Sequence, residues 1–297
     1  MPGETWSDLL DPTLDELRPH LPSGVPSHVL DRLLRGAPRP NLESHGDYVL
    51  GAFLVAVAVP EENDVFYQEV DLLLTRERLL TVRRTPPGRR PYDPEPVLET
   101  GRDGDGSALL LARLADDVAE RYLDYVDGLS AEIDELEDGL DEWRAPEVRE
   151  RLLTLRHQML HVRRMLGPMR EAVRSVADGR VELAGEEVFG RDLEGRFAAV
   201  HDTLLRAAEG IDLARDLLMT VADYHQAKIA SEQNEVGKRL TVIATMLLLP
   251  TLLVGIYGQN FEHVPELGWG FGYYYSLGVI VLLMLGALAL FKWRKYF

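Results

Sequence analysis

The chain has 297 residues, 32 of them Lys or Arg and 49 Asp or Glu, with no cysteine. The imbalance is local: residues 1–239 hold 29 basic against 47 acidic side chains, a net −18, whereas residues 240–297 carry only Glu262 and Glu266 against Lys292, Arg294 and Lys295, a net +1. An acidic body of this size repels nucleic-acid phosphate and anionic lipid alike, so unaided nucleic-acid binding is excluded and membrane attachment is left to the apolar tail; the missing cysteines exclude a disulfide framework, a thiol nucleophile and a Cys-based zinc site, and fit a reducing compartment.

The start, MPGETWSDLLDPTLDEL, has no basic region followed by an apolar one, so no signal peptide is expected. Residues 1–44, interrupted by Pro12, Pro19, Pro22, Pro26, Pro38 and Pro40, read as loop and short helix. Strands are predicted at Tyr48–Val59, Val65–Thr75 and Arg78–Arg84, where apolar and β-branched residues dominate; at 12 residues, the first is too short to cross a bilayer. Pro86, Pro87, Pro91, Pro94 and Pro96 end the strand region. Helix is predicted from Ser107, read as its N-cap. Leu129, Ile133, Leu136 and Leu140 form an apolar seam, with Glu132, Asp134, Glu135, Glu137, Asp138, Asp141 and Glu142 on the other faces. After Pro146 the sign reverses with Arg149, Arg151, Arg156, Arg163, Arg164, Arg170 and Arg174. An acidic helix followed by a basic one suggests an antiparallel hairpin with complementary faces; two solvated faces of opposite sign are the alternative.

A second seam runs through Leu193, Phe197, Val200, Leu204, Ile211, Ala214, Leu218 and Val221, with no proline from Arg191 to the apolar tail. One helix over residues 191–256 is on the order of 100 Å long. It cannot bury its seam alone, which predicts neighbouring copies around an axis. Leu240–Phe261 and Leu267–Phe291 are uncharged runs of 22 and 25 residues, each long enough for a membrane-spanning helix. Lys238 and Arg239 precede the first span, Lys292, Arg294 and Lys295 follow the second, and Tyr257–Gly272 has no Lys or Arg, so both termini are expected in the cytoplasm of an inner-membrane protein. Trp269, Tyr273, Tyr274 and Tyr275 suit one membrane interface, Trp293 and Tyr296 the other. The segments are therefore 1–106 (α/β), 107–190 (helical hairpin), 191–239 (stalk helix), 240–257 (first span), 258–272 (outer loop), 273–291 (second span) and 292–297 (basic tail).

Two spans enclose no hole, so conduction requires several copies. Gly258, Gln259 and Asn260 sit at the outer end of the first span, where glycine bares backbone carbonyls and Asn adds an amide, a combination suited to a cation that keeps its water. On spacing alone, a helix C-cap at Gly258 is the competing reading.

YGQNF followed by EHVPELGWGFGYY resembles the CorA family of divalent metal transporters, whose signature is YGMNF followed by a Met-Pro-Glu-Leu loop. The likeness extends through Asn234-Glu235-Val236, Leu240–Thr245 and Gly255-Ile256-Tyr257, and more loosely through LLLTRERLLTVRR, SAEIDELEDGL and LLTLRHQMLHVRRMLGPMRE. It implies a funnel-shaped homopentamer: an α+β cytoplasmic domain, a long pore-lining helix continuing into the membrane, and a second transmembrane helix. It further implies metal capture at Gly258, Gln259 and Asn260, pore-lining roles for Asn234 and Thr251, a hydrophobic constriction at Leu240 and an acidic position at Asp223. Asn234, Gly237, Thr241, Leu248, Thr251, Gly255 and Gly258 share a helical stripe, for which small-residue helix packing is the alternative. The sequence departs from the family at Gln259 and Gly237, both usually Met. Pro250 lies one residue later than the family's proline, and Ala199 replaces an Asp of the magnesium-gated members while Asp202 is kept. The ZntB-like zinc transporters also vary the middle signature residue.

His157 and His161, four apart on a helix, have metal-ligand spacing or are ordinary surface histidines. Glu262, His263 and Glu266 would give an oligomer an acidic mouth or are simply solvated. Asp212, Asp216 and Asp223 would bind metal between subunits or form the wet face of the helix. No GxxxxGK, HExxH or GxSxG pattern supports nucleotide or hydrolase chemistry. The expectation is a homo-oligomeric membrane transporter of divalent cations, not an enzyme and without a cofactor, carrying Mg2+ (with Co2+ and Ni2+ as further candidates). A ZntB-type Zn2+ transporter and a non-conducting membrane-anchored sensor or scaffold are the alternatives.

Overall fold

The structure is a computed structural model that describes residues 5–22, 25–36, 39–59, 64–102, 105–183, 189–259 and 265–294. Two compact units divide the chain, Met1–Val221 and Ala222–Phe297.

The first unit is built on a five-stranded sheet of β1 (Trp6–Leu10), β2 (Asn41–Ser44), β3 (Val49–Val59), β4 (Asp64–Leu74) and β5 (Leu79–Arg83), in the order β1-β5-β4-β3-β2. All neighbours are antiparallel except β1 and β5, which run parallel. The near-continuous apolar run of β3 has a simple cause: both faces of the sheet are covered. Leu73, with Leu50, Leu80 and Val82, packs on Leu17 of helix α1 (Leu14–Leu17) and on Val29 and Leu33 of α2 (Ser27–Arg35). Leu72 and Leu74 turn the other way with Phe53 and Val55, into the larger core. That core includes Val97 of the short helix α3 (Glu95–Glu99) and Leu111, Leu114 and Val118 of α4 (Ser107–Gly139).

Strands β1 and β2 correct the reading of residues 1–44 as loop and short helix. The pairing of β1 is non-local and polar. Trp6 Nε1 donates to Thr81 Oγ1 (2.9 Å), the Thr81 hydroxyl donates to Asp8 Oδ1 (2.6 Å), and Arg83 Nε donates to the same carboxylate (2.9 Å). Arg83 also donates to the Tyr92 carbonyl, anchoring the proline-rich loop. A strand carrying a central aspartate has no apolar signature to read. Ser107 is a second correction. Gly106 is the N-cap of α4, and the Ser107 hydroxyl instead donates to the carbonyls of Thr75 (2.7 Å) and Arg76 (3.1 Å), joining the helix to the end of β4.

Helix α4 and α5 (Ala145–Ala177) form the hairpin, with Leu129, Ile133, Leu136 and Leu140 buried against a core that includes Val148, Leu155, Val162 and Met169. Charge complementarity between them is slight: Arg151 reaches Glu135 at 3.4 Å, and Arg163 pairs instead with Asp212 of α6 (Arg191–Tyr257) at 3.4 Å. The α6 seam corrects a further expectation. Phe197, Val200, Leu204, Ala207, Ile211, Ala214, Leu218 and Val221 are all buried within the single chain, so this stretch needs no neighbouring copy to cover it.

Asp71 is wholly buried on β4. Arg84 Nη2 donates to Asp71 Oδ2 (2.6 Å) and to the Leu33 carbonyl (2.6 Å), and Arg84 Nε donates to the Leu34 carbonyl (3.3 Å), so one guanidinium closes the last turn of α2 and neutralises a buried acid. Burial, and then the neighbouring Glu69 carboxylate, push Asp71 up to about 7 despite Arg84.

The second unit holds the remainder of α6, a 3-10 turn at Pro265–Gly268 and α7 (Gly272–Trp293).

Two outcomes are expected of the sheet. A Cβ on Gly51 would lie 2.2 Å from the Asn41 carbonyl oxygen and 2.5 Å from Leu42 Cδ2, so Gly51→Ala drives β2 off β3 and costs about 1–3 kcal/mol. Gly195→Ala, on α6 with open space around it, stabilises by up to about 1 kcal/mol; thermal unfolding in detergent measures both. Because the folded-state value of Asp71 lies above the ordinary value of 3.8, its contribution is complete below pH 3.8 and is lost as pH rises towards about 7. The thermal midpoint of Asp71→Asn relative to the parent therefore rises through that window and levels off above it.

Candidate functional site

Within the second unit, the apolar stretches of α6 and α7 are long enough to cross a membrane and are almost wholly exposed in the single chain. Apart from the turn at Pro250, the helical hydrogen-bond ladder serves their main-chain groups, as a membrane span requires. Leu247, Leu252 and Val254 on α6, and Val281, Leu282 and Leu285 on α7, face outward. The aromatics Trp269, Phe271 and Tyr273–Tyr275 are exposed at the start of α7, with Trp269 stacked on Phe271 (5.2 Å) and edge-on to Tyr275 (5.5 Å).

On α6, Asp223, Asn234, Gly237, Leu240, Thr241, Leu248, Thr251 and Gly255 are all exposed. Leu248, Thr251, Gly255 and Gln259 line one groove of about 590 Å³, together with Thr245, Leu249, Leu252 and Ile256. At about 100° per residue, Asp223, Asn234, Gly237, Thr241, Leu248, Gly255 and Gln259 share a face, while Leu240, Thr251 and Gly258 lie roughly a quarter turn to one side. Steps of three and four residues make the stripe wind slowly about a straight helix. Around Gly237 and Gly255 nothing approaches the position a Cβ would take.

The hydroxyls on and beside this face are committed in one direction. Thr241 donates to the Gly237 carbonyl (2.9 Å), Thr245 to the Thr241 carbonyl (2.8 Å) and Thr251 to the Leu247 carbonyl (2.6 Å). With their protons held by the helix, these oxygens offer only lone pairs to whatever lies beside them. Thr245 and Leu252 were missed by the sequence reading, although Thr245 follows Thr241 by four residues, a spacing that could have found it. Pro250 sits inside the helix, removing the hydrogen bond that its nitrogen would give to the Met246 carbonyl.

Helix α6 ends at Tyr257, yet Gly258 still donates to the Val254 carbonyl (2.9 Å) and Gln259 donates to the Ile256 carbonyl (3.3 Å). Gly258 does not have the positive φ of a left-handed C-cap, which Gly36, Gly46, Gly88 and Gly179 do have. Gln259 is exposed at the end of the groove. Asn260, Glu262 and His263 lie outside the described residues, as does the side chain of Glu266, whose backbone belongs to the 3-10 turn; Tyr296 also lies outside them.

The remaining candidates do not converge. His157 is exposed, and the His161 ring sits 4.7 Å from that of Tyr67. Asp212 is occupied by Arg163, and Asp216 is exposed. Ala199 offers no ligand beside the exposed Asp202. Among the described residues no three His, Asp or Glu side chains gather as a metal cage.

Comparison with known proteins agrees with this layout. Residues 3–295 match the family described as CorA-like Mg2+ transporter protein. The cobalt/magnesium transport protein CorA of Thermotoga maritima is 27% identical over 280 residues, covering 92% of this chain and 77% of that protein. The zinc transport protein ZntB of Yersinia enterocolitica is 23% identical over 278 residues, covering 92% and 81%. The solved CorA magnesium transporter of Methanocaldococcus jannaschii superposes with a TM-score of 0.81 at 21% identity, over 97% of this chain and 89% of that one, and so shares its fold. A match across nearly the full length, with a mixed sheet, a long helix and two exposed apolar helices near the C-terminus, makes this chain a membrane protein of the CorA-like Mg2+ transporter family.

Proposed function

We propose that five copies of this chain surround an axial pore and conduct divalent cations, Mg2+ first, with both termini in the cytoplasm. The observation that carries this reading is the α6 face itself. Thr241, Thr245 and Gln259 form a polar line on a stretch of helix whose other surfaces suit lipid, and lipid cannot solvate it. Copies arranged about an axis give the line water.

The chemistry of the line supports a hydrated cation. A cation holding its first water shell turns the water hydrogens outward, so what surrounds it should accept hydrogen bonds. Thr241, Thr245 and Thr251 present lone pairs only. Gly258, Gln259 and Asn260 form the capture ring in this reading, Leu240 and Leu248 the apolar constrictions, and Asp223 the acidic exit; Glu262 and Glu266 concentrate cations at the mouth. A double charge falling through 100 mV gains about 4.6 kcal/mol, which suffices as the drive without covalent chemistry. A second reading, zinc, is favoured by Gln259, which stands at the signature position that ZntB-like transporters also vary, and by a ZntB protein among the relatives.

Reconstituted liposomes provide the test. The chain should pass Mg2+ inward under an inside-negative potential, and Asn260→Ala should cut the flux by roughly tenfold or more, the loss of an oriented polar ligand. Absence of flux from the parent chain would leave a membrane-anchored sensor, and unchanged flux in Asn260→Ala would remove the ring. In a competition among Mg2+, Co2+, Ni2+ and Zn2+, preferential uptake of Zn2+ replaces the magnesium reading with the zinc one.

A further inference from the structure

Every seventh residue of α5 is buried at Val148, Leu155, Val162 and Met169, and each is followed by an arginine: Arg149, Arg156, Arg163 and Arg170. Helix α4 repeats the device with the opposite sign. Buried Ala119, Val126, Ile133 and Leu140 are followed by Glu120, Asp127, Asp134 and Asp141. Both rows climb at one heptad, about 10.5 Å per rung. Among the described residues Arg149 and Arg156 find no partner in the acidic row: Arg151, from another position, reaches Glu135, and Arg163 is taken by Asp212. Among the described residues Arg149, Arg156, Glu120, Asp127 and Asp134 have no ion-pair partner, and all five are exposed.

The basic row is not a merely solvated face. Leu153 and Leu160, one heptad apart and beside the arginines, are 47% and 42% exposed. The acidic row has the opposite relief: Gly128, with nothing within 4 Å of a would-be Cβ, and exposed Ala131 lie between Asp127 and Asp134. We propose that the strip Arg149–Leu153–Arg156 of one copy seats on the Asp127–Gly128–Ala131–Asp134 face of the next copy, Leu153 over the small residues and the arginines against the carboxylates. Equal pitch keeps the rungs matched along helices crossing at about 20°. An anionic membrane would also attract the arginines, but it has no use for an acidic row of the same period. The contact rests on the oligomer proposed above and gives it a salt-sensitive joint outside the membrane spans.

The test uses the full chain in nanodiscs, labelled at one introduced cysteine (the chain has none of its own), with subunit exchange followed by energy transfer. Arg149→Glu with Arg156→Glu, and separately Asp127→Arg with Asp134→Arg, should each speed exchange roughly tenfold, and the four changes together should restore it to within about threefold. Arg149→Gln with Arg156→Gln gives a smaller acceleration and serves where the reversals fail to fold, as judged by helical circular dichroism. Exchange at the parent rate in the reversed chains, a four-fold variant no slower than either pair, or an effect confined to nanodiscs with anionic lipid overturns the joint. Native mass spectrometry separates this from the reading beneath it: a parent particle of one chain sinks the oligomer, whereas an oligomer indifferent to the reversals sinks only the joint.

Discussion

A membrane helix has one demand that dominates all others: its surface must be solvated by something, and this one carries two incompatible surfaces. The second half of α6 exposes Ile243, Leu247 and Val254 to its surroundings, yet the same turns carry Thr241, Thr245, Thr251 and Gln259. Acyl chains suit the first group and leave the second without partners. The threonines lessen the conflict by returning their protons to the helix, which lowers the cost of burial without removing their lone pairs. What remains is a face that accepts hydrogen bonds and donates none, apart from the amide of Gln259. Water ordered around a cation is the complementary donor.

The first unit answers a different constraint. Its seam on α6, from Phe197 to Val221, is buried inside one chain, so this part of the helix is held by α4 and α5 rather than by partners. Gly210 shows how closely the helices approach, since a Cβ there would stand 2.8 Å from Val126 Cγ1. Any assembly through this unit must then use surfaces that the fold leaves over, among them the exposed Leu213 and Leu217 on α6 and the charged rows on α4 and α5.

Much of the architecture was legible because it is periodic. The three central strands and the hairpin seam announce themselves by alternation or by heptads, and the spans by length. The reading failed where pairing rests on single polar atoms. No pattern in WSDLL predicts that Trp6 Nε1 meets Thr81 or that Asp8 meets Arg83, 75 residues away in sequence in both cases. The same holds for Ser107, whose residue type suits an N-cap but whose hydroxyl is taken by the end of β4. The predicted burial of the stalk seam by neighbouring copies failed for another reason: periodicity reveals that a face is covered and is silent on which chain covers it. The candidate residues could be read in their order along the helix and less so in their phase, which is why Thr245 was passed over and why Thr251 and Gly258 lie off the shared face.

The departures from the family pattern bear on which cation suits this lining. Met at 237 or 259 would place a polarisable sulfur beside the path, a ligand type that favours softer ions. This chain has Gly237, which adds no side chain and leaves the space open, and Gln259, which adds an amide. The line from Asn234 to Gln259 consequently offers oxygens, amides and aliphatic carbon, with no thioether or thiol. A small hard cation that gives up its water reluctantly needs no more than this, because acceptors that touch its outer hydrogens stabilise it without replacing its shell. Zinc gains most from nitrogen and sulfur ligands in direct contact at about 2.0–2.3 Å, and that line would bind it chiefly through amide oxygens. In the proposed pore, with the sulfur positions vacated, discrimination against a bare ion would fall to the apolar side chains of Leu240 and Leu248.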